Sequence, residues 1–306
     1  MDTVPHLFCD AVAETIANID YYQDHLMSFA HFTHPGFSKW KNAAKGPFMN
    51  RRFFSVSVGV IENGDWFYKI DGLERFYGTD GRIEQRSESY DFEHLKMVRS
   101  SCIQFDHVSF ICGETGNPSS RQEIEEIIKF VAPYVNLADL TLYNEVIKEK
   151  DLLVLLAYLE NASFKKIYAN HYSHFYEDFV KLHLQSNCLK ELHIYGTGWS
   201  QEIQEEIKEF TLKKQFQHAD CDNCNLEFDR TFLERIFELN PSEKIVSFKG
   251  VFSFGCEQLR EFRKSLQNPS TDNNDNKIAW ERTDGVRVVA SDCILALHIQ
   301  WFQKSH

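Results

Sequence analysis

Leu137-Ala-Asp-Leu140-Thr-Leu142, Phe164-Lys-Lys-Ile167-Tyr-Ala169 and Leu189-Lys-Glu-Leu192-His-Ile194 spell one pattern three times, with apolar residues at the first, fourth and sixth places. The copies start 27 and 25 residues apart, a spacing typical of leucine-rich-type solenoids. The alternation at the end of each copy predicts a strand with one buried face. Helical stretches lie around and between the copies, at Glu145–Leu159, Ser173–Leu184, Trp199–Phe210 and Phe228–Leu239. A unit of one strand and one helix cannot cover its own apolar face. Stacked copies bury it against one another, and arrays built this way usually bind other proteins.

Two further copies are less regular. Near Leu212–Ala219, Gln215 and Gln217 fall where apolar residues are expected, and a shift of one position, using Phe216, restores burial. The fifth copy is near Ile245–Phe248, followed by a helical pattern with Leu259, Phe262 and Leu266. Upstream, Ile103, Phe105, Val108, Phe110 and Ile111 predict the strand of a divergent first repeat. Ser120 caps the amphipathic helix Arg121–Val131, which ends before Pro133.

The chain has 306 residues, 43% of them hydrophobic, 25% charged and 26 of them phenylalanine. That is ample for a large aromatic-rich core. A net charge of −12 argues against a nucleic-acid partner, since that binding depends on neutralising phosphates. Eight cysteines at 9, 102, 112, 188, 221, 224, 256 and 293 lack framework spacing and predict free thiols in a reducing compartment. Asp2, Asp10 and Glu14 interrupt any signal-peptide core, and no run approaches the ~18 apolar residues of a membrane span. The expected location is the cytoplasm or nucleus, with no membrane contact.

Before the repeats, Val4-Pro5 opens a helical stripe of Phe8, Val12, Ile16 and Ile19, and Phe37-Ser38-Lys39-Trp40 follows the breaker His34-Pro35-Gly36. Read by itself, this is a helical cap on the open end of the array. Its ends resemble an F-box, in which a Leu-Pro pair opens the first helix and a Val-Ser-x-x-Trp-like segment closes the third. The middle departs from that family, with Tyr21-Tyr22-Gln23-Asp24-His25 where a leucine-rich helix belongs. The opening Met-Asp-Thr-Val-Pro, together with the repeats, is similar to the F-box and F-box-associated (FTH-like) proteins of nematodes. The resemblance implies a Skp-family adaptor bound through Pro5, Phe8, Val12, Ile16 and Trp40, with a target protein held by the repeats. It also implies a role as substrate receptor in a cullin-RING ubiquitin ligase.

The expected fold is mixed α/β. Residues 1–45 form the F-box-like helical element. Residues 46–95 form a small antiparallel β segment around the turn Asn63-Gly64. A curved, leucine-rich-repeat-like strand–helix array fills 96–267, and a loop and C-terminal β-hairpin around Asp284-Gly285 fill 268–306. With Leu140, Leu142, Ile167, Ala169, Leu192 and Ile194 inward, alternation turns Thr141, Tyr143, Tyr168, Asn170, His193 and Tyr195 to the opposite, concave face. Lys166 and Glu191 flank them, with Asp139. Tyr143, Lys166, Tyr168, Asn170, Glu191, His193 and Tyr195 are therefore the expected target-binding strip, since aromatic and hydrogen-bonding residues are enriched at interfaces.

No catalytic signature emerges. Cys221-x-x-Cys224, with His218 upstream, lacks the second pair of a structural zinc site. His25, His31 and His34 lack an acidic partner at a recognised spacing. Gly113-Glu-Thr-Gly116 before the helix at Arg121 lacks the Gly-Lys-Ser/Thr ending of a P-loop. The sequence predicts a binding module with no metal, cofactor or catalytic residue. A repeat scaffold without a ligase link and, less favoured, a metal-dependent enzyme remain as alternatives.

Overall fold

The computed structural model describes residues 52–61, 63–77, 83–98, 103–112, 116–143, 146–171, 174–221, 223–237, 245–253, 277–281, 286–293 and 296–303. The F-box-like element, with Pro5, Phe8, Val12, Ile16 and Trp40, lies outside them. So do the histidines at 25, 31 and 34, the expected helix around Leu259–Leu266 and the loop at 268–276. The protein is mixed α/β, and its chain divides into two compact units at Asp139/Leu140.

In the first unit, β1 (Arg52–Val60) and β2 (Trp66–Tyr77) form an antiparallel hairpin. The turn closes with Gly64 at φ 90°, a left-handed conformation that glycine adopts without strain. Strand β3 (Ile83–Tyr90) extends the hairpin beside β2. Helix α1 (Phe92–Met97) follows, its N-cap Asp91 accepting from the His94 amide. Strand β4 (Ile103–Cys112) then runs parallel to β1. The strand expected to open the repeat array thus joins the sheet of the hairpin. A short strand, β5 (Asn117–Ser119), pairs with β2 and leads into α2 (Arg121–Val131), capped by Ser120 as the sequence predicts. Ile124, Ile127, Ile128 and Val131, one face of this amphipathic helix, are fully buried. A 3-10 turn at Ala132–Tyr134 delivers the chain to β6 (Val135–Tyr143), within which the division between the units falls.

One expectation for β6 fails. Leu137, taken as the first apolar place of its copy, has φ 55° and is only half-buried. The positive φ turns the alternation by one residue, so Val135 and Ala138 are buried instead. Periodicity has no access to a left-handed residue inside a strand, a conformation uncommon for leucine.

The second unit alternates strands and helices. It contains α3 (Glu149–Ala157), β7 (Ser163–Asn170), α4 (His174–Gln185), β8 (Glu191–Tyr195), α5 (Gln201–Thr211), β9 (His218–Cys221), β10 (Glu227–Phe228), α6 (Arg230–Phe237) and β11 (Ile245–Phe252). Strands β7, β8, β9 and β11 are neighbours in chain order and all parallel. Their register aligns Ile167, Leu192, Ala219 and Phe248 in one row, and every member of it is fully buried. Each large side chain in such a row contributes about 1.5–3 kcal/mol by leaving water. In the irregular fourth copy, buried Phe216, Ala219 and Cys221 hold the three apolar places, the register shift the glutamines called for. Phe228 lies in β10, paired with β11, so the helix after it begins at Arg230 and not at Phe228.

Similar links join successive strands and helices of this second unit. Lys190 N donates to Lys165 O at 2.8 Å, Gln217 N to Lys190 O at 2.9 Å, and Ser247 N to Gln217 O at 2.8 Å. Lys181 of α4 pairs with Glu202 of α5 at 2.7 Å, and Arg235 of α6 with Glu209 of α5 at 2.9 Å. Lys213 Nζ donates to the carbonyls of Leu184 and Gln185 at 2.8 and 2.7 Å, closing the C-terminal end of α4. Phe228, Phe232, Phe248 and Phe252 pack together at the far end, with Phe228 and Phe248 edge to face at 4.9 Å. Beyond β11, strands β12 (Lys277–Glu281), β13 (Val286–Cys293) and β14 (Ala296–Gln303) form an antiparallel run, and β14 pairs antiparallel with β11. The expected C-terminal hairpin is thus the outer part of a three-stranded meander.

Candidate functional site

Alternation within β7, β8, β9 and β11 sets two polar rows against the buried apolar one. Lys166, Glu191, His218 and Ser247 stand in register, and so do Tyr168, His193, Asp220 and Lys249. Asn170 and Tyr195 form the next rung. All ten are half-buried. Tyr143, at the end of β6, is 53% exposed. The structure therefore brings six of the seven expected strip residues together on one sheet face and leaves Tyr143 in solvent. His218, Asp220, Ser247 and Lys249 belong to the same face. His218 and Asp220 lie on β9, in the fourth copy, whose alternation is blurred by Gln215 and Gln217, and Ser247 and Lys249 lie on β11, in the fifth.

The rows form one electrostatic network. Lys166 Nζ lies 2.7 Å from Glu191 Oε2 and 4.9 Å from the centre of the Tyr168 ring. Burial pulls the Lys166 ammonium downward, but hydrogen bonds with Glu191 and Tyr168 outweigh it and raise its pKa. The His193 imidazole and then Lys166 hold the Glu191 carboxyl down at about 2, against the cost of burying it. His193 Nε2 is 3.8 Å from Glu191 Oε2, too long for a hydrogen bond, so the 2.7 Å pair with Lys166 is the firmer contact. The Tyr168 and His193 rings stack at 4.3 Å, and His193 and His218 lie 4.8 Å apart at 50°. His218 Nδ1 and Ser247 Oγ are hydrogen-bonded at 2.5 Å, and Lys249 is 4.0 Å from Asp220. Opposite charges are already matched within the face, leaving alternating donors, acceptors and ring surfaces.

A second cluster sits where β7 gives way to α4. His171 and His174 flank the Glu177 carboxylate, which is enclosed by the loop Gly196–Ser200. Asn225 Oδ1 holds that loop by accepting from the amides of Gly198 and Trp199 at 3.0 and 2.9 Å. The spacing His171-x-x-His174-x-x-Glu177 is the only sign of this cluster in the sequence. Of the pair that suggested metal in the sequence, Cys221 is fully buried and Cys224 Sγ donates to the Cys221 carbonyl at 3.0 Å.

No family model, curated protein or solved structure compared with this chain matches it.

Proposed function

We propose that the chain is a non-catalytic protein-binding module, a curved leucine-rich-repeat-like array whose polar sheet face holds a target protein. The observation that carries this reading is the register. The row Tyr168, His193, Asp220, Lys249 and the row Lys166, Glu191, His218, Ser247 run across four consecutive parallel strands, back to back with the buried row of Ile167 to Phe248. Such a face is broad, aromatic and polar, with internally paired charges, which suits it to a folded or extended polypeptide. Tyr143, Lys166, Tyr168, Asn170, Glu191, His193 and Tyr195 are the target-binding residues of this reading.

The resemblance of residues 1–45 to an F-box supports a more specific role, as substrate receptor of a cullin-RING ubiquitin ligase in the cytoplasm or nucleus. Pro5, Phe8, Val12, Ile16 and Trp40 then contact the Skp-family adaptor, and the protein acts by proximity, raising the concentration of target near the ligase. The test is co-purification of the full chain with a Skp-family adaptor. Retention by the wild-type chain and its loss in Val12→Asp and Ile16→Asp supports the ligase role. A wild-type chain that retains no adaptor removes the ligase and leaves the repeat scaffold.

A further inference from the structure

We propose that His171 Nε2, His174 Nδ1 and Glu177 Oε1 together bind one divalent transition-metal ion of the zinc class, at the junction of β7 and α4. The proposal stands apart from the protein-binding reading. Glu177 Oε1 lies 3.3 Å from His171 Nε2 and 3.5 Å from His174 Nδ1, and each of the three residues offers one ligand atom within 4.8 Å of the others. Bonds of ~2.0–2.1 Å arranged tetrahedrally separate neighbouring ligand atoms by about 3.3–3.4 Å, so the two measured edges fit a zinc-sized ion.

The second observation is the state of His171. Its side chain is 8% exposed, and Nε2 is buried without a hydrogen-bond partner, although it faces the Glu177 carboxylate. A buried ring nitrogen left in that condition is costly, and a metal bond satisfies it. The ring is held in place. Trp199 packs against it at 4.9 Å, and at Gly198 an added Cβ would meet it at 2.7 Å. The side chain of Glu177 is 4% exposed, and the carboxylate is oriented from behind. Ser200 donates its amide to Oε1 at 2.8 Å and its hydroxyl to Oε2 at 2.5 Å. Outer partners of this kind characterise metal-binding carboxylates.

His174, 80% exposed, closes the group from the solvent side and leaves the fourth position to water. Two imidazoles and one carboxylate select a transition ion over calcium or magnesium, which take oxygen ligands. The group His193, His218, Asp220 is also compact. There, however, His218 is engaged by Ser247, and Lys249 lies 4.0 Å from Asp220, where it repels a cation.

The test uses the full chain, stripped with a chelator, dialysed, and titrated with Zn²⁺ by calorimetry and with Co²⁺ by visible absorption. The expected results are one saturable equivalent, a Co²⁺ spectrum without a thiolate charge-transfer band, and a thermal midpoint that rises with free Zn²⁺. His174→Ala and Glu177→Gln weaken binding by roughly tenfold to a hundredfold or more. His174→Ala is decisive because the ring is 80% exposed and its only ring contact among the described residues is an edge-on one with His171 at 5.7 Å, so the core is left in place. A folded wild-type chain that takes up no Zn²⁺ overturns the proposal. So do unchanged affinity in His174→Ala or a thiolate band that moves the metal to the cysteines.

Discussion

Tyr168 and His193 are register partners on β7 and β8, and their rings stack at 4.3 Å with an interplanar angle of 19°. Neighbours across a parallel pair meet this way only when both side chains leave the same face. The contact is therefore a reporter of the strand register as well as of the face. A double-mutant cycle on Tyr168→Ala and His193→Ala, read by urea unfolding, should return a coupling of about 0.5–1 kcal/mol. Strict additivity of the two single variants would show that the rings do not meet in solution.

Glu191 makes the same face acid-sensitive. His193 and then Lys166 depress its folded pKa to about 2, below the ordinary 4.5. Between those values the unfolded chain binds more protons than the folded one, so stability rises with pH across that window. The contribution is complete above pH 4.5 and is lost as pH falls toward about 2. Glu191→Gln should flatten this part of the profile when unfolding midpoints are compared across the window. A variant as acid-sensitive as wild type in that range removes Glu191 as the cause.

His183 acts in a higher window, from the opposite side of the sheet. It is wedged between Phe164 and Phe179 at 5.0 and 4.5 Å, with Nε2 buried and unpartnered. Burial pushes its pKa down from 6.5 to about 4. The unfolded chain takes the proton first on acidification, so stability falls as pH drops from 6.5 to about 4. At ~1.4 kcal/mol per pH unit, the fall amounts to roughly 3 kcal/mol. His183→Leu should abolish that slope and stabilise the protein at neutral pH by about 1 kcal/mol, since no polar atom is then stranded. Thermal or urea unfolding at a series of pH values measures both effects.

Strand alternation made part of this architecture readable in advance. Ile167 and Leu192 are buried and Tyr168 and His193 share the other face because period-two patterning is written into every β-strand with one covered side. The fourth copy was harder to see. Its inward residues, Ala219 and Cys221, are small, so their apolar signal is weak beside Gln215 and Gln217. Leu137 carried the right chemistry in the wrong conformation, since φ 55° reverses the direction that spacing assigns to it. The β1–β4 pairing was out of reach for another reason. It joins segments separated by a hairpin and a helix, and nothing local in Phe53–Val60 selects a parallel partner. His171, His174 and Glu177 share a short spacing, but the wall that encloses them comes from the loop after β8.

That wall depends on Gly198, where two separate constraints coincide. Its φ of 112° lies in a region that residues with a Cβ rarely adopt. A Cβ placed there meets the His171 ring at 2.7 and 2.8 Å, closer than real contacts allow. Gly198→Ala must therefore both strain the backbone and displace a buried ring packed on Trp199. Strain at such a position costs about 1–3 kcal/mol, and displacement of the ring adds to it. The expected outcome is a loss of at least about 1–2 kcal/mol in urea unfolding, with altered Trp fluorescence as Trp199 loses its partner. His171→Ala separates the two contributions. In that background the ring is gone, so Gly198→Ala should cost only the backbone share. An equal penalty in both backgrounds would show that the loop does not press on His171, and with it would fall the fixed orientation on which the His171–Glu177 geometry rests.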